Sequence, residues 1–455
     1  MKFLYSDDPI IACSTCNHAN AALAVIRISG IKGFSDLSRF FTHSGPIEPR
    51  RVYFTRLVLQ GQTIDEVCLT YFEGPKSYNG ENILELSIHG NTLNTERIID
   101  LFVKEGGIRL AAPGEFTYRA MKNKKLNLSQ VEGLDLFLNA NSSYALDQGL
   151  SLLSGNLHEI YLELWDLYLI HKSSLELSID FSDDVGEEAA RKYFLDSLDN
   201  FHKKFSSLAK RVENQNANLL QPEIVIAGLP NAGKSSFFNI LLGDERAIVS
   251  STAGTTRDYL TEYFTAEGVR YKLVDTAGVR DSSDSIEAEG VKRTKKKLTQ
   301  GFFKILLINP FEMSPGFSDL VAEDFDLMYF THADLPGFLE ARKNLEDKFR
   351  QLGSIGAIAL ANSDQPWEED LTQRLNKKYL HAVSHQPLLL DRHKALILRA
   401  QQILSSYRLL AQNETDVAIL SSELNTLGHC ISEVIGIVSP EQVLNSIFNN
   451  FCIGK

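Results

Sequence analysis

The chain has 455 residues, 44% of them apolar and 23% charged, a balance typical of folded water-soluble proteins and too long for one compact core. Its formal charge of −12 argues against a generic nucleic-acid binder, although a local basic patch still acts within a screening length of about 8–10 Å. No apolar run reaches the roughly 18–20 residues of a membrane span, and the acidic start MKFLYSDDPIIACST lacks the basic region of a signal peptide. A soluble cytoplasmic protein is expected, with no membrane partner. The cysteines, five in number, are too few for a disulfide framework.

In chain order, Cys13 and Cys16 form a lone CxxC without a second pair at zinc spacing, and read as small buried thiols. AALAVIRISG (21–30) and EVCLTYF (66–72) are rich in β-branched residues, and ILELSIHG (83–90) alternates before a glycine, so all three predict strands. TLNTERIIDLFVKEGG (92–107) has apolar residues at helical spacing, stopped by glycines. An α+β domain over 1–120 is expected. From about 127 to 216 leucines and aromatics recur every three or four residues, the pattern of long helices, with a break at FSDDVGEE (181–188). That pattern returns over 392–425 and 427–451, while 222–378 alternates strand and helix. An α/β domain (219–378) inserted between two helical segments (121–218 and 379–455) explains this most economically. Two basic stretches, Lys122–Lys125 and Lys292–Lys297, read as solvated faces.

PEIVIAGLPNAGKSSFFNILLG (222–243) reads as strand, glycine loop and helix, and Gly228-x4-Gly233-Lys234-Ser235 completes a P-loop in that context. Backbone N–H groups of Asn231, Ala232, Gly233, Lys234, Ser235 and Ser236 can cradle phosphate oxygens. Lys234 reaches the β- and γ-phosphates, and the Ser235 hydroxyl suits magnesium. RYKLVDTAGVR (270–280) predicts a strand ending in Asp275-Thr276-Ala277-Gly278: an acid for water-bridged magnesium and a glycine N–H for the γ-phosphate. Between them lie Ser250, Ser251, Thr252, Ala253, Gly254, Thr255 and Thr256, whose two last threonines can close over the nucleotide. These elements, in this order, specify a GTPase-type switch domain. Ras-like enzymes follow the glycine with a water-orienting glutamine, but Val279 stands there in this chain. Hydrolysis then needs another water-positioning residue. Oxygens of Asn231 and of TAGTT suit a monovalent cation in the place of an arginine finger.

The segments VIRISG (25–30), SYNGENILELSIHG (77–90), APGEFTYRAMKNKKLNL (112–128), GLPNAGKSS (228–236), AGTTRD (253–258), DTAGVR (275–280) and FCIGK (451–455) give the chain a resemblance over nearly its whole length. It resembles the MnmE (TrmE) family of tRNA-modifying GTPases. That resemblance implies a multidomain α/β protein: an N-terminal α+β folate-binding and dimerisation domain, a split helical domain, and an inserted P-loop GTPase domain of doubly wound α/β type. It also implies a homodimer, an FAD-protein partner of MnmG (GidA) type, and modification of carbon 5 of the wobble uridine in certain tRNAs. The implied cofactors are GTP, Mg2+, K+ and 5-formyltetrahydrofolate.

Carried over by position, the resemblance assigns potassium to Asn231, Ser250, Thr252 and Thr255, and magnesium to Ser235 and Thr256. Water positioning falls to Glu287, which by itself would read as a solvent-facing helix residue. The folate site falls to Arg27, Glu85, Lys125 and Lys455. Cys452 matches a family cysteine linked to the modification chemistry, and a thiolate near Lys455 would have a lowered pKa; packing of a small thiol is the alternative.

The guanine-reading stretch departs from the family's Asn-Lys-x-Asp. After DLMYF the chain reads Thr331-His332-Ala333-Asp334, and the next base-contacting segment is Ala361-Asn362-Ser363. Asp334 keeps the carboxylate that accepts from guanine, but each lost contact costs about 1 kcal/mol. Weaker and less selective guanine binding is expected. STCNHANAAL (14–23) replaces a glycine-rich turn beside Arg27, which bears on folate affinity. Two other readings stay open: a diverged nucleotide-dependent switch or scaffold, and a P-loop NTPase of relaxed base choice.

Overall fold

The computed structural model describes residues 6–15, 20–180, 186–214, 219–220, 222–242, 262–275, 298, 301–312, 324–349, 356–359, 367–383, 386–413, 416–437, 441–448, 451 and 454. In chain order the elements are β1 (Ile10–Cys13), β2 (Leu23–Ser29), β3 (Val52–Leu59), β4 (Gln62–Phe72), β5 (Ile83–His89), α1 (Thr92–Lys104), β6 (Arg109–Leu110), α2 (Glu115–Lys122), α3 (Leu128–Leu138), α4 (Ser143–Leu153), α5 (Asn156–Asp180) and α6 (Glu187–Asn214). There follow β7 (Glu223–Gly228), α7 (Lys234–Leu242), β8 (Tyr263–Ala266), β9 (Val269–Asp275), β10 (Phe303–Ile308), β11 (Leu327–Phe330), α8 (Phe338–Phe349), β12 (Gly356–Ala357), α9 (Trp367–Ala382), α10 (Asp391–Gln412), α11 (Val417–Ile435) and α12 (Glu441–Phe448). They fall into two compact units. One comprises Met1–Asp135, Gly149–Glu213 and Leu388–Lys455, the other Leu136–Gln148 and Asn214–Pro387.

In the first unit a six-stranded sheet has the order β3-β4-β5-β2-β1-β6, antiparallel except for the β1–β6 pair. Alternate residues of β2 and β5 (Ile26, Ile28, Leu84, Leu86) enter one core with Ile98, Leu101 and Phe102 of α1. Helix α1 starts where the Asn91 side chain accepts from Asn94 N–H, satisfying an otherwise orphaned donor. The sequence patterns located β2, β4, β5 and α1 but passed over β1, β3 and β6. Strand β1 is four residues buried on both faces, so it shows no alternation. Strand β3 lies at the sheet edge with Val52 63% and Phe54 69% exposed, which reverses the usual apolar-in pattern. Its hairpin turn, Gln60 and Gly61, has both residues at positive φ (51° and 80°), the left-handed pair that a two-residue hairpin needs.

The helices of this unit meet through buried polar contacts as well as apolar ones. His171 of α5 is fully buried, bonding Ser197 of α6 at 2.8 Å and the Tyr407 hydroxyl of α10 at 2.8 Å. Burial pushes its pKa down to about 4, so it is neutral at physiological pH. Helix α11 crosses α5 at Gly428, where a Cβ would lie 2.1 Å from the Tyr168 hydroxyl oxygen. The sequence pattern predicts a helix break near 425–427; α10 instead ends at Gln412, and α11, from Val417, runs through Asn425 and Thr426. Asp416 caps α11 by accepting from Ala418 N–H, and Gly436, at φ 86°, ends it in the left-handed conformation. Asn425 and Thr426 sit on the exposed face, where polar residues do not interrupt a helix.

Glu132 of α3 anchors the second helical segment to the first. Arg392 grips its carboxylate with two bonds of 2.7 and 2.9 Å and donates to the Glu433 carbonyl of α11 at 2.8 Å. Leu390 N–H donates to Nδ1 of buried His393, whose Nε2 lies 2.9 Å from Glu132 Oε2 and 2.8 Å from Arg392 Nη2. Burial opposes the Glu132 charge, but the Arg392 hydrogen bonds and His393 outweigh it and hold the pKa at about 2. A depressed carboxylate pKa stabilises the fold fully above its ordinary value of 4.5, and that contribution is lost as pH falls toward 2. Glu132→Ala should therefore lower unfolding free energy by about 3 kcal/mol at pH 7, since it strands a buried guanidinium. Urea denaturation followed by circular dichroism checks this. The gap between variant and wild type should narrow as pH is lowered from 5 to 3.

In the second unit the sheet order is β12-β11-β10-β7-β9-β8, parallel except for β8. Consecutive residues of β7 enter opposite cores. Ile224 and Ile226 pack with Phe237 of α7 and Trp367, Leu371 and Leu375 of α9; Val225 and Ala227 pack with Phe338 and Leu345 of α8. A sheet covered on both faces needs continuous apolar strands, which is why EIVIAG and FKILLI read so clearly.

Candidate functional site

Strand β7 is flanked by β9 on one side and β10 on the other, so its carboxyl end is the switch point where open parallel sheets bind ligands. The chain leaves the sheet there at Gly228, where a Cβ would stand 2.6 Å from the Leu307 carbonyl oxygen. Asn231 and Gly233 take φ of 60° and 81°. Left-handed residues among right-handed ones turn successive N–H groups to one side, making an anion cradle. Ala232 N–H donates to Leu229 O at 3.2 Å, and Phe237 N–H to Gly233 O at 2.9 Å at the start of α7. Lys234 is only 8% exposed; its ammonium donates to Gly228 O at 2.9 Å and Leu229 O at 2.7 Å. The side chain thus folds back over its own loop. Ser235 and Ser236 are exposed in the first turn of α7, where the helix dipole favours an anion. Asp275 ends β9 in register with Ile226, two residues short of Gly228 on the neighbouring strand. This cradle fits a nucleotide's phosphate chain.

Ser250–Thr256, Thr276, Ala277, Gly278, Glu287, Ala361, Asn362, Ser363, Cys452 and Lys455 lie outside the described residues, as do Cys16 and Lys292–Lys297.

Thr331 follows β11 and is fully buried. Its N–H donates to Ile308 O at 2.9 Å, its hydroxyl to the same carbonyl at 3.2 Å, and that hydroxyl also meets His332 Nδ1 at 2.9 Å. The hydroxyl has one hydrogen, so with it donated to Ile308 it accepts from the ring Nδ1–H of His332. His332 takes φ 62°, and the turn ends with Leu335 N–H on His332 O at 3.1 Å. Asp334 is exposed at the tip of this turn.

In the other unit, Arg27 and Glu85 are cross-strand partners on β2 and β5, joined at 2.8 Å with side chains 20% and 26% exposed. The guanidinium also lies over the Tyr78 ring (5.3 Å) and the Phe116 ring (5.7 Å). A planar cation between aromatic faces beside a carboxylate suits a flat, hydrogen-bonding, anionic ligand. Behind it, Glu81 accepts from Ser29, Asn79 and Arg119, while Glu115 accepts from Arg109 (2.6 and 2.8 Å), Arg119 (3.0 Å) and Ala112 N–H (2.9 Å). These acids and arginines lock SYNGEN to APGEFTYRA. Tyr78, Glu81, Glu115, Phe116 and Arg119 have no assigned role from the sequence motifs, and the charged residues shared by the two segments are the signal that points to them. Lys125 is exposed, its N–H bonded to Ala120 O at 2.8 Å.

The carboxyl end reaches this same sheet. Ser14 Oγ donates to Gly454 O at 3.1 Å, just past β1, whose Ala12 is paired with Arg27. Gly454 takes φ 99°, and a Cβ there would lie 2.3 Å from the Cys13 carbonyl oxygen, so the tail is seated where only glycine fits.

Comparison with known proteins finds two family profiles that match the chain. Residues 9–125 match the profile of the family described as GTP-binding protein TrmE N-terminus, and 223–326 that of 50S ribosome-binding GTPase. The tRNA modification GTPase MnmE of Aquifex aeolicus (strain VF5) is 31% identical, covering 98% of this chain and 100% of its own length. The chain belongs to the MnmE family. The proteins of that name from Chlorobium phaeobacteroides (strain DSM 266 / SMG 266 / 2430) and Leptospira biflexa serovar Patoc (strain Patoc 1 / Ames) are 32% and 31% identical. Each alignment covers 98% of this chain, and 97% and 100% of the relative. No helix among the described residues is long and apolar enough to cross a membrane.

Seating of the tail on Cys13 and Ser14 can be checked directly. Gly454→Ala, by placing a methyl against a carbonyl at positive φ, should speed carboxypeptidase release of the last residues about tenfold, the equivalent of about 1.4 kcal/mol of strain. An unchanged release rate would show that the tail does not hold this position in solution.

Proposed function

We propose that the chain hydrolyses GTP in a potassium- and magnesium-dependent cycle and works in tRNA modification. As a homodimer in the cytoplasm, together with an FAD protein of MnmG (GidA) type, it modifies carbon 5 of the wobble uridine with one carbon from 5-formyltetrahydrofolate. Membership of the MnmE family supports the reaction class, and the cradle over which Lys234 folds is the observation that carries it. The chain's parts on this reading are an N-terminal folate-binding and dimerisation domain (1–120), a helical domain from 121–218 and 379–455, and an inserted GTPase domain (219–378).

The cradle N–H groups and Lys234 hold the phosphates. Ser235 and Thr256 would hold magnesium, which when bound neutralises charge on the phosphates. Asn231, with Ser250, Thr252 and Thr255, offers uncharged oxygens of the kind potassium prefers, and Glu287 positions the attacking water. Arg27, Glu85, Lys125 and Lys455 bind the folate, the aromatic-flanked guanidinium suiting the pterin and the lysines its glutamate tail. Cys452, two positions before Gly454 in the chain, would serve the modification chemistry.

A second reading, relaxed base choice, is favoured by the Thr331 contacts. Its hydroxyl is engaged by Ile308 and His332, so the tie that an asparagine would make from here to the phosphate loop has no counterpart in this side chain. Turnover of GTP and ATP, each in potassium and in sodium buffer, tests both readings. GTP turnover should be at least about tenfold faster in potassium, and Lys234→Ala should lower it by about 100-fold or more. ATP turnover within about tenfold of GTP would establish relaxed choice. No potassium stimulation would remove the proposed mechanism, and unchanged wobble uridines on gene deletion would leave a switch or scaffold in its place.

A further inference from the structure

The turn after β10 makes two contacts with the phosphate loop that its sequence pattern does not announce. Asn309 is 8% exposed and uses both ends of its amide: Oδ1 accepts from Phe311 N–H at 3.0 Å, and Nδ2 donates to the Asn231 main-chain carbonyl at 3.3 Å. Glu312 N–H closes the turn on Asn309 O at 3.4 Å. Its exposed carboxylate then accepts from the Asn231 side-chain amide at 3.0 Å. Asn231 is therefore held at its backbone and at its side chain by residues three apart in one turn. It needs that support, because its left-handed backbone is less favourable than the ordinary one for any residue but glycine.

We propose that the Asn309–Glu312 turn is a positioning clamp for the phosphate loop, and that Glu312 fixes which end of the Asn231 amide is offered to the ligand. An amide has one donor end and one acceptor end. With the NH2 end on Glu312, the carbonyl oxygen faces away from it, toward a ligand that takes an acceptor. A phosphate oxygen is not such a ligand; a cation is. The charge of Glu312 argues the same way. A carboxylate at the rim of a phosphate cradle repels polyphosphate, and that repulsion is offset when a cation sits between them. Outer partners that fix the orientation of a ligating side chain commonly tune metal affinity. Glu312 is thus a positioning residue for the monovalent cation, and this inference rests on the cation reading given above.

The test uses the full-length chain, with Glu312→Ala and Glu312→Gln beside wild type. Potassium titrations of GTP turnover give the half-activating concentration and the plateau rate. Thallium-205 NMR of the protein with a non-hydrolysable GTP analogue reads cation binding without turnover. In Glu312→Ala the half-activating potassium concentration should rise about tenfold, and thallium affinity should fall by a similar factor. The plateau rate should stay within about twofold, and GDP affinity should hold or improve as the repelling charge goes. Glu312→Gln, which keeps an acceptor but no charge, should fall between. Identical potassium and thallium responses in wild type and both variants would overturn the clamp while leaving the cation reading standing. A uniform loss of GDP affinity and melting temperature, with the potassium midpoint unchanged, would overturn it too, marking Glu312 as only a structural brace. A wild-type chain with no potassium response and no thallium signal would bring down the cation reading and this inference together.

Discussion

The phosphate loop depends on left-handed backbone geometry, which L-amino acids adopt only at a cost. Asn231 and Gly233 must be left-handed for the neighbouring N–H groups to converge, and the rest of the second unit is arranged around that requirement. Gly228 lets β7 leave the sheet against the Leu307 carbonyl, and the two apolar cores fix β7 between β9 and β10. Lys234, bonded to two carbonyls of the loop it belongs to, ties the loop's start to its end. With those groups fixed beforehand, phosphate binding requires little reorganisation, which is the condition for electrostatic stabilisation to help a transition state.

How legible each part was in the sequence follows from how local its cause is. EIVIAGLPNAGKS is readable because a strand buried on both faces, a tight glycine turn and a helix start all lie within a short stretch. The same holds for α1 and for β2 and β5. Strand β3 was not legible, because an edge strand with Val52 and Phe54 outward follows no alternation rule. The Asn309–Glu312 contacts were not legible either. They join residues 78 to 81 positions apart through sheet order, and nothing in NPFE signals a role. The helix boundaries at 413–416 and 436 were available from Asp416 and Gly436, but the leucine periodicity alone runs past both.

The same contrast separates the two ends of the nucleotide site. The phosphate end is held by main-chain groups, so its sequence needs only the glycines and Lys234 to remain. On the proposed reading the base end depends on side chains carried by a loop after β11, where the Thr331 hydroxyl bonds to His332 and to Ile308. That arrangement keeps the turn shape and leaves Asp334 at its tip, but it anchors the turn to β10 through a carbonyl. The phosphate loop is instead tied to the chain leaving β10 by Asn309. Both loops are thus referred to the same strand end, Ile308 and Asn309, by different bonds. On that reading, a base-reading loop without its own tie keeps its registry with the phosphate loop, because β10 supplies a common reference.

In the first unit the acids and arginines behind Arg27 serve a similar end. Glu115 is fully buried and its charge opposed by burial, yet the bonds from Arg109, Ala112 and Arg119 keep its pKa below the ordinary value. A buried ion network is rarely a net gain in stability over apolar packing, so its value lies in the single geometry it permits. Here that geometry fixes Tyr78 and Phe116 around one guanidinium, with Gly454 seated on the neighbouring strand. Residues from four separate stretches of the chain thereby converge on a face of one sheet. An apolar core of equal stability could hold the sheet, but it could not specify which way Arg27 points.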